Sequence, residues 1–131
     1  MAADRPVARP RPIYLNLFAI RQPVPAIISI MHRASGALLF LAGIPLVLWF
    51  MQRTLASPEG FAAAFGPFAT PFGKLVLLAL AWAYIHHFVA GVRHLMLDLH
   101  LGIDLPSARR SAAVVLVLSV LLTLIVAVRL W

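Results

Sequence analysis

The sequence predicts an all-α integral membrane protein, with three transmembrane helices preceded by an extended N-terminal segment. Three observations carry this. The chain of 131 residues is 63% hydrophobic and only 11% charged, with a mean hydropathy of +0.96. That is more apolar surface than a water-soluble domain of this length can bury. Three stretches contain no Asp, Glu, Lys or Arg: Ala34–Gln52, Leu75–Val92 and Ser111–Val128, of 19, 18 and 18 residues. At ~1.5 Å rise per residue each covers about 27–29 Å, close to the hydrocarbon thickness of a bilayer. Finally, the arginines cluster around the ends of these stretches, where membrane anchors belong. The chain reads as a single transmembrane domain over residues 1–131, with helices at about 25–52, 72–98 and 108–130.

Taken in order, the first 23 residues are rich in Pro and Arg and are expected to be extended. They lack an apolar run with a cleavage site and are short and Pro-rich for a transit peptide, which favours a bacterial inner membrane over a mitochondrial one. The first helix is expected to start near Pro25, because Ala26–Met31 is apolar and proline suits a first helical turn. Pro45 should bend it. Residues 53–73 carry Ser57-Pro58-Glu59-Gly60, Gly66-Pro67 and Pro71, and read as a loop with a short surface helix at Phe61–Phe65. Residues 99–110 form a shorter loop with Asp104, Pro106 and Arg109-Arg110.

Charge sets the orientation. The N-terminal side and second loop hold eight basic residues (Arg5, Arg9, Arg11, Arg21, Arg33, Arg93, Arg109, Arg110), against three on the other side (Arg53, Lys74, Arg129). The N-terminus is therefore expected in the cytoplasm. The net charge of +7 does not read as a nucleic-acid surface, since the arginines are not interleaved with surface aromatics. With no cysteine, disulfides, cysteine-ligated iron–sulfur clusters and thioether-attached haem are excluded.

The chemistry concentrates in Tyr84–Asp98. Three histidines, an arginine and an aspartate stand on an apolar helix, and such groups at membrane depth are costly unless they serve a cofactor, a partner or a water-filled path. At about 100° per residue, Tyr84, His87, Gly91, His94 and Asp98 fall within about 80° of one another. His86 and Arg93 point elsewhere. With the helix leaving the membrane near Asp98, His87 lies about 16 Å in, near midplane. On the first helix, Ser29 pairs by spacing with His32 and Arg33, and these share a depth zone with His94. A neutral imidazole at midplane with cations nearer the water suits a b-type haem and its propionates. His94 and His100 cannot reach the opposite haem face, so a second axial ligand must come from a partner chain.

Plainer readings stand beside these. His87 can simply hydrogen-bond between helices, with about even weight. Arg33 can snorkel to headgroups, Ser29 can serve helix packing, and Asp98 with Arg93 can be an edge ion pair or caps. Trp49, Trp82 and Trp131 read as interface anchors or packing.

Two motifs carry a resemblance. Ser29-Ile-Met-His-Arg-Ala-Ser-Gly36, and then His87-Phe-Val-Ala-Gly-Val-Arg-His94 with Asp98, resemble the cytochrome b membrane-anchor subunit of succinate dehydrogenase (respiratory complex two), of the bacterial type. Weaker matches are Arg11-Pro12-Ile-Tyr-Leu-Asn-Leu, Arg21-Gln-Pro-Val-Pro-Ala-Ile and Ser57-Pro58-Glu59-Gly60-Phe61. The resemblance implies that His87 ligates the iron of haem b, with the other axial histidine on a second anchor subunit. It implies that Ser29 and Arg33 line a ubiquinone site, and that His32, Arg33 and His94 lie near the haem propionates. It further implies a flavoprotein subunit that oxidises succinate, an iron–sulfur subunit that relays electrons, and a place in the respiratory chain and tricarboxylic acid cycle. The family's spacing from ligand to the Gly-x-Arg-His tail, which the resemblance implies here, and the helix-face argument above both select His87 over His86. Two alternatives remain: the anchor of a fumarate reductase using menaquinone, and a non-redox structural or assembly subunit.

Overall fold

The computed structural model describes residue 16 and residues 19–131. Of the expected extended N-terminal segment, Arg5, Arg9 and Arg11 lie outside the described residues, while the Ala19 and Ile20 N–H groups turn back onto the Asn16 carbonyl just before α1. Among those described, the regular structure is helical throughout: α1 (Val24–Leu38), a π-turn (Leu39–Gly43), α2 (Ile44–Ala56), α3 (Pro58–Ala69), α4 (Pro71–Asp98) and α5 (Leu105–Leu130). Three helical stretches have the length and apolarity to cross a bilayer. They are α1 to α2 taken as one span of 33 residues, α4 with 28 and α5 with 26.

Short punctuation signals set the helix starts. Ser57, Thr70 and Asp104 each accept a hydrogen bond from the backbone N–H three residues on, that of Gly60, Gly73 and Ser107. Proline follows within two residues of each. A side-chain oxygen satisfies one orphan N–H, and proline's missing N–H costs nothing there. The expected loop over residues 53–73 is therefore mostly helix, because Ser57-Pro58 and Thr70-Pro71 are helix starts rather than coil. For the same reason α5 begins at Leu105, earlier than the expected 108.

Pro45 acts through the preceding turn. The backbone widens to a π-turn at Leu39–Gly43, with the Ile44 N–H on the Leu39 carbonyl. This shift of register absorbs a residue that cannot donate to the helix ladder and whose ring would crowd the carbonyl four residues back. Below the π-turn, α1 packs on α4 and α5. Above it, the span packs on α3, and no close backbone contact joins α2 to α4. Aromatic contacts fasten α3 there: Phe50 to Phe65 at 5.1 Å and Trp49 to Phe68 at 6.4 Å between ring centres. An apolar groove of about 580 Å³ opens between the parted segments, lined by Leu39, Gly43, Val47, Leu80 and Tyr84 among others.

The interior of the α1–α4–α5 bundle follows membrane logic. Its buried residues are small or polar: Ala83, Ala90, Ala112, Ser35, Ser119, His86 and Arg93, with Ile28 and Val115. Large apolar side chains such as Phe40, Leu41 and Phe88 are exposed. Since lipid is as apolar as leucine, helices associate through close packing of small residues and polar contacts. On the far side from the α4–α5 connection, Lys74 Nζ lies 5.3 Å from the Trp131 ring centre, a cation–π pair at the membrane edge.

α4 ends in a Schellman motif. The Leu101 N–H reaches the Met96 carbonyl and the His100 N–H the Leu97 carbonyl, with His100 left-handed at φ 60°. Glycine is the usual residue at that position.

Candidate functional site

The site is built where α1 crosses α4. His87 Nδ1 lies 3.0 Å from the His32 backbone carbonyl and 3.4 Å from Ser35 Oγ. Ser35 itself donates to the same carbonyl at 2.9 Å. A carbonyl only accepts, so His87 Nδ1 carries the proton and Nε2 keeps its lone pair. That is the form in which an imidazole binds a metal, and a backbone carbonyl on the other nitrogen is the usual way to fix it. His87 is half-buried, and its Nε2 makes no hydrogen bond among the described residues.

Two more imidazoles continue the site. The His32 ring stacks on that of His87, with centroids 4.1 Å apart and planes 10° from parallel. The His94 ring lies 4.9 Å from His32, tilted by 46°. Thus the structure brings together His32, His87 and His94, as their depth and helix faces lead one to expect. Ser29 and Arg33 lie one turn apart on α1 in the same zone, Ser29 half-buried and Arg33 exposed. No cluster of three or more His, Cys, Asp or Glu side chains could hold a metal ion among the described residues. A single axial ligand needs none.

The close approach falls at Gly36. A Cβ there would stand 2.7 Å from His87 Cε1, whereas one at Gly91 would meet His32 Nε2 at 3.5 Å, an ordinary contact. Between these two glycines, it is Gly36 that makes room for the His87 ring. Ser35 and Gly36 lie inside the first motif, and their spacing from His32 (i+3, i+4) places them on its face.

His86 and Arg93 point into the opposite seam. His86 is 0% exposed, with its ring stacked against Trp82 at 5.4 Å and Nδ1 3.3 Å from Ser119 Oγ. Arg93 is also buried. Its Nε donates to Ser111 Oγ at 2.9 Å and its Nη2 to the Ala108 carbonyl at 3.3 Å. An Arg93–Asp98 ion pair does not form: Asp98 is exposed, and the guanidinium is turned toward α5. Ser111 and Ser119 are among the few small polar residues of α5, the kind that fasten helices together in a membrane.

Comparison with known proteins agrees with the motifs. Residues 8–126 match the family described as succinate dehydrogenase/fumarate reductase transmembrane subunit. The chain is 35% identical to the succinate dehydrogenase cytochrome b556 subunit of Paracoccus denitrificans over 115 residues, covering 88% of both chains. Against the subunit of the same name from Coxiella burnetii it is 35% identical over 122 residues, 92% of this chain and 97% of the relative. Against the human mitochondrial succinate dehydrogenase cytochrome b560 subunit it is 33% identical over 119 residues, 85% of this chain and 66% of the relative. The chain belongs to the succinate dehydrogenase/fumarate reductase transmembrane subunit family.

Proposed function

We propose that this chain is the haem b- and ubiquinone-binding membrane anchor of a bacterial succinate dehydrogenase. The observation that carries the reading is His87. Its Nδ1–H is committed to the His32 carbonyl and its Nε2 lone pair is left on a half-open helix face near midplane. Gluing helices together would account for the sealed His86, but it leaves no task for His87 Nε2. The name cytochrome b556 carried by the relatives supports the same cofactor.

When bound, haem b supplies one-electron storage beside the quinone. The chain's own residues then divide the work. His87 would hold the haem iron through Nε2, and a histidine of a second anchor subunit would complete the site. The His32 carbonyl and Ser35 keep His87 in one tautomer and one orientation. Arg33, with His32 and His94, supplies donors for the propionates on the side nearer water. The apolar groove one turn deeper offers a hydrocarbon wall. For the quinone, the Ser29 hydroxyl donates to a carbonyl oxygen. Arg33 stabilises the negative charge that grows on reduction, in a low-dielectric setting where one cation counts for more than in water. Succinate oxidation belongs to a flavoprotein partner, with an iron–sulfur subunit between. The eight-to-three distribution of basic residues supports a multi-pass protein of the inner membrane with a cytoplasmic N-terminus.

Purification from membranes in mild detergent tests this directly. The expected result is co-purification with flavoprotein, iron–sulfur and second-anchor chains, and a reduced-minus-oxidised spectrum of a low-spin b-type haem. An intact assembly without haem would remove the cofactor reading and leave a structural subunit.

A further inference from the structure

α4 carries polar side chains on two sides, His87 and His94 on one and His86 and Arg93 on the other, so no single polar stripe marks its outer face. In a bilayer, hydropathy therefore does not dictate how α4 is turned about its own axis. Two polar contacts on one seam do: His86 to Ser119, and Arg93 to Ser111 and Ala108. Going seven residues up α4 moves eight residues back on α5, as an antiparallel pair requires.

The His86 contact is specific in its chemistry. Ser119 spends its one hydroxyl hydrogen on the Val115 carbonyl at 2.6 Å, so its oxygen accepts from His86 Nδ1–H. His86 Nε2 is buried and makes no hydrogen bond of ordinary geometry, with the Ile28 backbone a polar neighbour of the ring. A leucine would fill this space without burying a poorly partnered ring nitrogen. Polar groups kept in a core at such a cost commonly specify one arrangement among several.

The neighbouring residue shows what is specified. With side chains about 5–6 Å from the helix axis, a 20° turn of α4 would sweep the His87 ring by about 2 Å. Hydrogen bonds tolerate only a few tenths of an ångström, so that turn would lift His87 Nδ1 off the His32 carbonyl. We infer that His86 is a positioning residue: its bond to Ser119 sets the rotation of α4 and thereby the ring orientation of His87. This rests on the reading of His87 as the haem ligand.

The test uses the whole complex purified from membranes, with Ser119→Ala, His86→Leu and Ser119→Thr. The readouts are haem content, the largest g value of the oxidised low-spin haem by electron paramagnetic resonance, which follows the angle between the axial imidazole planes, and the haem midpoint potential. Ser119→Ala and His86→Leu are expected to assemble, and to shift the g value and potential or lower haem content. Ser119→Thr, which keeps the hydroxyl, should restore the parent values. Unchanged g value and potential with haem retained in both variants would overturn the inference. So would failure of both to assemble, since the bond would then hold the fold rather than one ring. A parent complex with no haem would instead fail the reading of His87 itself, before any variant is compared.

Discussion

His86 and His87 are neighbours in sequence and about 100° apart around α4. Both use Nδ1 for a contact between helices, His87 with the His32 carbonyl and His86 with the Ser119 hydroxyl. Yet His86 Nε2 is sealed among Trp82, Ser119 and the bundle core, while His87 is half-open. The difference is one of access rather than of intrinsic chemistry. An imidazole in the right tautomer is a ligand only where a large planar group can reach its lone pair. On the inner face the same side chain becomes a fastener between helices. A buried histidine on a membrane helix therefore has to be read through its second nitrogen, by asking what that atom can meet.

The sharpest way to break this comparison is to remove each histidine in turn. His87→Ala is expected to abolish haem binding, read as loss of the reduced-minus-oxidised signal, whereas His86→Ala should retain the haem. The reverse pattern would exchange their roles. Next in size is Arg33→Ala on the outer face. Quinone reduction should slow on the order of 10- to 100-fold, while succinate oxidation with an artificial acceptor stays intact; unaltered quinone turnover would take Arg33 out of the site.

Gly36→Ala presses on the outer face from α1. The added methyl would meet His87 Cε1 at 2.7 Å, so the ring must move off the His32 carbonyl. Haem content should fall, and overpacking should cost about 1–3 kcal/mol in thermal unfolding. An unperturbed spectrum would show that the α1–α4 crossing can give way. The inner face is probed through the connection that joins α4 to α5. His100→Gly relieves the left-handed residue at the end of α4 and should stabilise the complex by about 0.5–1 kcal/mol, with no change in the haem spectrum. The smallest effect belongs to Asp104. The Ser107 backbone N–H it accepts holds its carboxyl below the usual range. A depressed folded value means that its stabilisation is present above the ordinary carboxylate pKa and fades as the pH falls through the lowered one. Melting measured on the acid side should show this slight loss. Asp104→Asn, still a good cap, should flatten it.

Much of this was legible from residue order. Three charge-free runs can be solvated only by lipid, and the spacing of His87, Gly91 and His94 places them on one side of α4 whatever the helix packs against. The pairing of Ser29-x-x-His32-Arg33 with His87 and its Gly-x-Arg-His tail carried the family. The first loop was misread as coil because Ser-Pro and Thr-Pro punctuation was taken as a break, when hydroxyl caps followed by proline begin helices. The roles of Ser35, Gly36, Ser111 and Ser119 stayed hidden, because each acts on a residue far away in sequence.

By itself, then, the sequence determined the membrane class, the number of spans, and the relative angles of side chains on each helix, since these depend on composition and on 3.6-residue geometry. Only the tertiary structure decided what each of the two adjacent histidines meets, His87 at the half-open α1–α4 crossing and His86 sealed against α5. With polar groups on two sides of α4, hydropathy marks no single outer face, so the choice falls to the His86–Ser119 and Arg93–Ser111 contacts and to the His87–His32 bond.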